Sequence, residues 1–450
     1  MIRLFDTARG AVVPFETREP GVVSMYVCGP TVYGPPHVGH GRFAIVFDVL
    51  RRYLEWSGHQ VRYVSNITDI DDKIIERGAS EGRDPADIAR RCETQWWRAM
   101  DAIGVARPTD DPHATAYVDR MVEVIGEMVA AGRAYETSDG VYLEVAQVPG
   151  YGLLARQDLD SLRAGARVEG TDEKRSPLDF VLWKKAKPGE PTWPSPWGPG
   201  RPGWHTECVV MSLDLLGEGF DLHGGGQDLA FPHHENERAQ AVALGRDFAR
   251  HWVHNGFVEV SGEKMSKSLG NFTNLLDLVE STDPRAFRLL LLRSHYRSPI
   301  EVSRDTMADA RQALARLDAF ARRAVDVPAG APDAEAIDRF RALMDDDLNT
   351  PGAVDVLFRL VRDANKALDI DDLDGAIPLV AAVHEICRAV GLVLSDAPDE
   401  VPADIVARAE QREAARASRD FATADRLRDE ITAAGWVLDD GPRGTTIRRA

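Results

Sequence analysis

The chain has 450 residues, of which 44% are hydrophobic and 28% are charged, and its formal net charge is −18 at pH 7. This length exceeds one ordinary core and predicts roughly two to four domains, while the acidic balance argues against a protein coated with basic patches. No apolar run is long enough to cross a bilayer, and the first residues, MIRLFDTARGAVVPF, lack the apolar core of a signal peptide, so we expect a cytoplasmic protein without a membrane partner.

The first part of the chain predicts a strand, a loop, a helix and a second strand. Val22–Val27 is a short apolar run that ends in Cys-Gly-Pro, which is typical of a buried parallel strand before a turn. Arg42–Trp56 has apolar residues at helical spacing with charged residues opposite, and the segment QVRYVSNITD that follows indicates a strand. This order is a βαβ unit of a Rossmann-type parallel sheet in an α/β protein. Such folds bind nucleotides at the loop between strand and helix.

The sheet pattern is interrupted in the middle of the chain. Helices are predicted over Pro85–Ala131, and Tyr151–Gly203 is rich in loops and dense in proline, glycine and tryptophan towards its end. We therefore expect an insertion over about residues 125–203 that splits the sheet domain. The alternating pattern then resumes with a helix after Glu207, a strand around Phe220–His223, a helix from His233 and a strand around Trp252–Val260.

The last part of the chain is predicted to be helical. Ser303–Leu394 contains long stretches with apolar stripes and charged faces, which favour an antiparallel bundle. Asp396–Pro402 resembles a linker, and the tail predicts one helix followed by a small hairpin around Gly441. The predicted domains are a Rossmann-type domain at 1–255, a connecting region at 256–302, a helical bundle at 303–395 and a small C-terminal module at 396–450.

The segment His37-Val38-Gly39-His40 lies where the first strand passes into the first helix. The N-terminus of a helix presents unpaired N–H groups and partial positive charge, which suit phosphate. Two imidazoles there can donate hydrogen bonds to phosphate oxygens, and Gly39 lets the backbone approach closely. A turn with two incidental histidines explains this segment equally well.

A second segment, Lys264-Met265-Ser266-Lys267-Ser268, lies between glycines more than two hundred residues later. Lysine is a point charge that suits phosphate, and the small neighbours permit an open and a closed state of the loop. A lysine loop on its own is more often simply solvated. The predicted placement of both segments at strand ends favours a shared nucleotide site.

Four cysteines, Cys28, Cys92, Cys208 and Cys387, are far apart and form no CxxC pair, so free thiols or metal ligands are expected rather than disulfides. His233 and Glu237 are four residues apart in a predicted helix and share a face. Together with Cys28 and Cys208 they make a plausible zinc set. Spacing alone favours the ordinary alternatives, which are buried thiols and a solvated helix start. Cys92 and Cys387 are expected to be idle buried thiols.

The motifs of this chain resemble those of one family along essentially its whole length. HVGH resembles the HIGH signature of class I aminoacyl-tRNA synthetases, and KMSKS matches the second signature letter for letter. Within that class, the following segments are similar to those of the cysteinyl-tRNA synthetase family: CGPTVYGPPHVGHGR, SNITDIDDKII, PGWHTEC, HGGGQDLAFPHHENE, KMSKSLGNF, MDDDLNTPGAV and ADRLRDEI with DDGPRGT. Val38 replaces the commoner isoleucine, and Gly34 stands where the family often has aspartate, so Gly34 is given no role.

The resemblance implies the chemistry and the residues that carry it. The expected reaction activates L-cysteine with ATP and Mg²⁺ to cysteinyl-adenylate and transfers it to the 3′ end of tRNA(Cys). One zinc ion per subunit, held by Cys28, Cys208, His233 and Glu237, is expected to bind the substrate thiol. The expected catalytic residues are His37, His40, Lys264 and Lys267, and those that contact ATP are His37, Gly39, His40, Gly225, Asp228 and Lys267. The expected contacts with substrate cysteine are Gly29, Thr68, Trp204 and Asp228.

Some of these residues have ordinary interpretations as well. The run His223–Asp228, HGGGQD, is often only a turn, and Trp204 could be a core aromatic side chain. The helical stretch ARASRDFATADRLRDE could be a solvated face rather than a surface for tRNA. The resemblance places anticodon recognition at this end of the chain, with Trp436 as a candidate to stack on a base.

Two other functions compete with a tRNA synthetase. A cysteine–amino-sugar ligase of the mycothiol type would carry the same zinc site and KMSKS but lack the terminal module, which this chain has. A catalytically dead paralogue that binds RNA would lose one signature, and both are present here. We expect a monomer whose partners are tRNA(Cys), L-cysteine and ATP.

Overall fold

A computed structural model describes residues 1–156, 173–259, 274–397, 402–441 and 444–449. The chain divides into two compact units. The first comprises Met1–Arg311 and Ala329–Val393, and the second comprises Gln312–Pro328 and Leu394–Ala450. Among the described residues, no helix is both long enough and apolar enough to cross a membrane.

The described strands and helices alternate through the first half of the chain, and helices dominate the second half. The strands are β1 (Arg3–Asp6), β2 (Ala11–Pro14), β3 (Val22–Val27), β4 (Gln60–Val64), β5 (Ala134–Glu136), β6 (Gly140–Leu143), β7 (Phe180–Lys185), β8 (Gly200–Pro202), β9 (Leu222–Gly226), β10 (His251–Asn255), β11 (Val258–Glu259), β12 (Ile300–Glu301), β13 (Trp436–Gly441) and β14 (Gly444–Arg449). The helices of the first 300 residues are α1 (Val38–Trp56), α2 (Asp72–Glu81), α3 (Pro85–Ala102), α4 (Val118–Ala130), α5 (Trp204–Leu216), α6 (Glu235–Ala243), α7 (Leu275–Ser281) and α8 (Pro284–Leu292). Those that follow are α9 (Arg304–Arg323), α10 (Ala334–Asp345), α11 (Thr350–Asp369), α12 (Leu373–Ala389), α13 (Ala403–Ala417) and α14 (Phe421–Ala433).

A four-stranded parallel sheet forms the centre of the first unit. Its strand order is β10-β9-β3-β4, and every neighbouring pair runs parallel. The inner strand β3 is almost wholly buried because both its faces are covered, which explains its continuous apolar sequence. The Rossmann-type sheet predicted from the βαβ pattern is therefore confirmed, and the carboxyl ends of its strands lie at one edge.

Helix α1 begins at Val38, four residues before the predicted start at Arg42. His37 and His40 cap this end reciprocally: the His40 N–H donates to His37 Nδ1 (3.3 Å) and the His37 N–H donates to His40 Nδ1 (3.2 Å). Serine or aspartate usually takes this place, so the apolar pattern alone could not locate the first turn.

The middle of the chain contains a second sheet, which is antiparallel and has the order β5-β6-β7-β8. The prediction of a loop-rich Tyr151–Gly203 was wrong for β7 and β8, whose residues pair between the loops. Trp183 is fully buried in this sheet. Gly140 and Gly200 lie so close to β7 that an added Cβ would fall 2.1 Å and 2.2 Å from backbone oxygens. Short strands that depend on such contacts leave little periodicity in the sequence.

Helices α10, α11 and α12 complete the first unit, which agrees with the helical pattern of Ser303–Leu394. A short turn joins α11 to α12, where the Gly375 N–H donates to Asp372 Oδ1 (3.0 Å). The apolar stripes of these helices, which include Phe340, Leu357 and Val383, are buried.

The second unit ends in a module of two helices and the predicted hairpin, β13 paired antiparallel with β14. The stretch ARASRDFATADRLRDE is not one helix, because α13 ends at Ala417 and Asp420 caps α14 by accepting from the Thr423 N–H. Trp436 is only 5% exposed, in a small core whose buried members are Ile405, Ala409, Ile431, Trp436 and Leu438. The prediction of a base-stacking Trp436 is therefore wrong, since its ring is used in packing.

Candidate active site and metal centre

A cavity of about 590 Å³ opens at the carboxyl ends of the parallel strands in the first unit. Cys28 and Gly29 follow β3, Asp228 follows β9, and Asn255 ends β10, and all four line the cavity together with the His37–His40 turn of α1. The sheet thus brings to one place segments that are far apart in the sequence, as open parallel sheets do for their ligands.

One end of the cavity contains a cluster of Cys28, Cys208, His233 and Glu237, hereafter the four-residue cluster. Their ligand atoms all lie within 4.8 Å of one another, and all four side chains are buried. The two sulfurs are 3.6 Å apart, Cys28 Sγ is 3.4 Å from Glu237 Oε1, and His233 Nε2 is 3.1 Å from the same oxygen. Helix α6 begins at Glu235, so His233 lies in the turn just before it, yet it still contacts Glu237 at the predicted spacing.

The donor set fits a zinc ion. A tetrahedral ion with Zn–S bonds of about 2.3 Å holds two sulfurs about 3.8 Å apart, which is close to the observed sulfur separation. Burial raises the pKa of the Cys28 thiol well above its usual range and also raises the pKa of Cys208. Burial lowers the pKa of His233, which keeps the imidazole neutral and able to offer a lone pair. A metal ion would replace the protons of these two thiols, so a buried set of two thiols, a neutral imidazole and a carboxylate favours binding of a cation.

A second combination of possible ligands overlaps this cluster. Cys28 and Glu237 also lie within 4.8 Å of His223 and His234. Cys28, Cys208 and His233 line the cavity, whereas His223 and His234 do not. The predicted set therefore has three of its four members on the cavity wall, whereas the second set has only Cys28 there.

Aromatic and polar neighbours hold the cluster in place. His223 Nε2 lies 2.7 Å from Glu237 Oε2, and His205 Nδ1 lies 2.8 Å from His233 Nδ1. Trp204 stacks on His233 with ring centroids 3.9 Å apart and an interplanar angle of 21°. Trp204 is 37% exposed on the cavity wall, so it is not a core residue. Contacts of this kind fix the orientation of metal-binding side chains.

The other end of the cavity is formed by His37 and His40, whose rings stack at 3.7 Å. Each Nδ1 accepts a backbone N–H, so the hydrogen of each neutral ring is on Nε2. Burial lowers the pKa of His40 to about 3 and also lowers the pKa of His37, so both rings are neutral donors at pH 7. Gly39 makes this possible, because an added Cβ would fall 2.9 Å from the His37 ring.

Of the remaining residues predicted to contact substrates, four line the cavity and one does not. Gly29, Thr68, Trp204 and Asp228 line the same cavity as the cluster and the two histidines. Gly225 is not among the lining residues: it packs against His234, and Gly226 lines the cavity in its place.

Lys264 and Lys267 lie outside the described residues. The segments that precede and follow 260–273 both reach the histidine end. Phe257 and Val258 line the cavity, and the Leu275 N–H donates to the Pro36 carbonyl (2.9 Å), beside a bridge between His37 and Asn274.

Two residues in or directly behind the cavity wall were not identified from the sequence. Asn66 follows β4, and Glu207 precedes Cys208 in α5; both are buried and both are hydrogen-bonded to Thr68. Burial raises the pKa of the Glu207 carboxyl well above its usual range, opposed by the hydrogen bond from Thr68. A carboxylate in the segment WHTEC resembles any helix-start acid, so only the three-dimensional placement distinguishes it.

Comparisons with known proteins agree with this geometry. The model of the family described as tRNA synthetases class I (C) catalytic domain matches residues 14–312, and the DALR domain model matches residues 339–395. The chain is 46% identical over 460 residues to a cysteine–tRNA ligase of Halorhodospira halophila and 48% identical over 462 residues to one of Thioalkalivibrio sulfidiphilus. In both comparisons 100% of each chain is covered.

Solved structures support the fold. Mycobacterium tuberculosis methionyl-tRNA synthetase in complex with methionyl-adenylate is 17% identical, with a TM-score of 0.58, over 82% of this chain and 90% of that one. Agrobacterium radiobacter LeuRS in a ternary complex is 11% identical, with a TM-score of 0.64, over 84% and 85% of the two chains.

Proposed function

Because the chain belongs to the cysteinyl-tRNA synthetase family of class I aminoacyl-tRNA synthetases, we propose that its cavity activates L-cysteine with ATP and Mg²⁺ and passes it to tRNA(Cys). The chain is a class I cysteine–tRNA ligase whose substrates are an amino acid, ATP and tRNA. The carboxylate of cysteine attacks the α-phosphate of ATP, which releases pyrophosphate and gives cysteinyl-adenylate. A hydroxyl of the terminal tRNA ribose then takes the aminoacyl group. Catalysis consists of positioning and charge stabilisation, without a covalent enzyme intermediate.

Substrate selection is carried by the four-residue cluster, which is the observation that most supports this proposal. Cys28, Cys208, His233 and Glu237 would hold one zinc ion at the cavity wall. A thiophilic metal binds a thiolate and rejects the hydroxyl of serine, which a purely apolar pocket cannot do. Trp204 covers His233 and, with Gly29, Thr68 and Asp228, bounds the space for the amino acid.

The phosphates of ATP bind at the opposite end. His37 and His40 direct their Nε2–H groups away from the helix backbone, since their Nδ1 atoms are used in capping. Neutral donors at a helix N-terminus suit a phosphate chain whose charge moves to pyrophosphate as the bond breaks. Gly39 permits the close approach, and Asp228 bounds the space for the nucleoside.

Lys264 and Lys267 steady the leaving pyrophosphate. Support for this role comes from the KMSKS motif. The residues that precede and follow the segment 260–273 also lie at the histidine end of the cavity. Lys267 is the more important of the two.

The helical end of the chain binds tRNA. The proposed division is a catalytic domain at 1–255 with an insertion near 125–203, a connecting region at 256–302, a bundle at 303–395 and a C-terminal anticodon module at 396–450. The enzyme acts as a cytoplasmic monomer. The terminal module also favours tRNA over the amino-sugar acceptor of a mycothiol-type ligase.

Transfer of labelled cysteine to total tRNA in the presence of ATP tests this function, with a reaction that lacks tRNA as the control. Accumulation of charged tRNA is the expected result. Formation of adenylate without charged tRNA would contradict the tRNA acceptor, and an amino-sugar acceptor would then be tried.

A further inference from the structure

A chain of hydrogen bonds runs from the wall of the cavity to a buried carboxyl group behind that wall. The Gly29 N–H donates to Asn66 Oδ1 (2.9 Å), and the Asn66 amide nitrogen donates to Thr68 Oγ1 (3.1 Å). The Thr68 hydroxyl in turn donates to Glu207 Oε2 (2.8 Å). One end of this chain follows a cysteine of the four-residue cluster and the other end precedes the second cysteine of that cluster.

Thr68 is fixed by its backbone as well as its side chain. Its N–H donates to the Pro30 carbonyl (3.0 Å), and its own carbonyl accepts the Val32 N–H (3.1 Å). Asn66, Thr68 and Glu207 are each 1% exposed. Thr68 is therefore held in the cavity wall by the hydrogen bonds of both its backbone and its hydroxyl.

The backbone N–H of Gly29, at the start of this chain, determines the direction of the other hydrogen bonds. A backbone N–H can only donate, so the oxygen of Asn66 faces Gly29 and its amide nitrogen faces Thr68. A hydroxyl has one hydrogen and two lone pairs. The hydrogen of Thr68 is used on Glu207 and one lone pair is used on Asn66, which leaves one lone pair as the only hydrogen-bonding capacity that Thr68 can offer to the cavity.

We propose that Glu207 is a positioning residue that holds the Thr68 hydroxyl as a hydrogen-bond acceptor toward the cavity, and thereby makes the site select the α-ammonium group of its substrate. This inference rests on the proposed function, which places the amino acid beside Thr68. An ammonium has only donors, so it matches the free lone pair. A Thr68 hydrogen directed into the cavity would instead repel it, because two donors would then face each other. Glu207 keeps an oxygen without a hydrogen for Thr68 whether its carboxyl is charged or neutral.

The test uses two thiol probes that each lack one group of cysteine. Cysteamine has the amine without the carboxylate, and 3-mercaptopropionate has the carboxylate without the amine. Both are measured as inhibitors of cysteine-dependent pyrophosphate exchange. In Glu207→Leu, we expect the KM for cysteine and the Ki for cysteamine to rise about tenfold or more, because one hydrogen bond to a charged group is lost. The Ki for 3-mercaptopropionate is expected to change by less than about twofold, since that probe has no ammonium.

A conservative variant separates hydrogen-bond direction from charge. Glu207→Gln keeps an acceptor oxygen for Thr68 but has no negative charge, and we expect it to raise the KM for cysteine by less than about threefold. Glu335→Leu is the matched control, because Glu335 is exposed on α10 and is not among the residues that line the cavity. Zinc content is measured in every variant by elemental analysis.

Three results would overturn the proposal. The first is a normal KM for cysteine in Glu207→Leu, the second is an equal loss for all three thiols in a variant that retains zinc, and the third is a loss in Glu207→Gln as large as in Glu207→Leu. Thr68→Val provides the same comparison if Glu207→Leu does not fold, and normal cysteamine binding in that variant would also contradict us. Failure of the proposed function is a different outcome, because the unsubstituted protein would then show no cysteine-dependent exchange.

Discussion

The two ends of the cavity differ in the kind of group that they offer to a ligand. At the histidine end, desolvation lowers the pKa of His37 and His40 below the ordinary histidine value, and mutual capping leaves both neutral rings with an Nε2–H donor. At the cluster end, burial brings together two thiols and a carboxylate that favour a cation. One cavity thus has neutral N–H donors at one end and, at the other, a set of thiol, imidazole and carboxylate groups that fits a cation.

Breaking the cluster end should have the largest effect. Cys208→Ser replaces a soft thiolate ligand by a poor one, so we expect loss of zinc and a rise of about 100-fold or more in the KM for cysteine. Elemental analysis and pyrophosphate exchange measure the two quantities.

Cys92→Ala is the matched control for that variant. Cys92 is equally buried in α3 but does not belong to the cluster, so zinc content and the KM for cysteine should stay normal. One zinc per chain in Cys208→Ser would show that the cluster does not bind the metal.

Breaking the histidine end should affect the rate without affecting the metal. His40→Ala removes one donor to the phosphates, and we expect kcat for pyrophosphate exchange to fall about 100-fold with zinc content unchanged. His40→Asn, which can still donate, should recover part of this loss. A normal kcat in His40→Ala would mean that the stacked rings are only a helix cap.

A smaller change at the same end should come from crowding the cap. Gly39→Ala places a methyl group 2.9 Å from the His37 ring, which must then shift. We expect kcat for exchange to fall about tenfold while the KM for cysteine stays within about twofold, because the cluster end is untouched. An equal loss in both parameters would contradict the separation of the two ends.

The smallest expected effect concerns stability and pH. Burial lowers the pKa of His40 to about 3, below its ordinary value near 6.5, so the unfolded chain binds a proton that the folded chain refuses. The stability associated with neutral His40 is complete above about pH 6.5 and is lost as the pH falls towards 3.

His40→Gln removes that titration. Between pH 7.5 and pH 5, we expect its free energy of unfolding to fall by about 1–2 kcal/mol less than that of the unsubstituted protein. Urea unfolding at the two pH values measures this difference. Identical pH dependence in the two proteins would mean that His40 is not held neutral by the fold.

The difference between the histidine end and the cluster end also explains which parts of the site could be predicted from the sequence. The histidine end is formed by one contiguous segment, HVGH, which follows an apolar run. Its position in the loop between a strand and a helix could therefore be predicted from the sequence pattern alone. The start of α1 did not, because a pair of histidines replaces the usual cap.

The cluster end combines Cys28, Cys208 and the His233–Glu237 pair from three distant segments. No spacing rule links such segments, so spacing alone favoured buried thiols, and the resemblance to the family was needed to propose a metal. Glu207 was missed for the same reason, since its partner Thr68 is on another strand end.

At Trp436, the sequence suggested a role in binding that the structure does not support. An aromatic residue near a helix and a hairpin can stack on a base or fill a core, and its sequence neighbours do not distinguish the two. The structure buries it among Ile405, Ile431 and Leu438. A module this small needs its largest side chain for its own core.

The most direct test of the two-ended cavity is X-ray absorption at the zinc edge, before and after addition of cysteine. We expect one zinc per chain with two sulfur and two nitrogen or oxygen neighbours, and a rise to three sulfurs when cysteine binds. A sulfur count that does not change with cysteine, in a protein that still carries out cysteine-dependent exchange, would contradict recognition of the substrate thiol by the cluster.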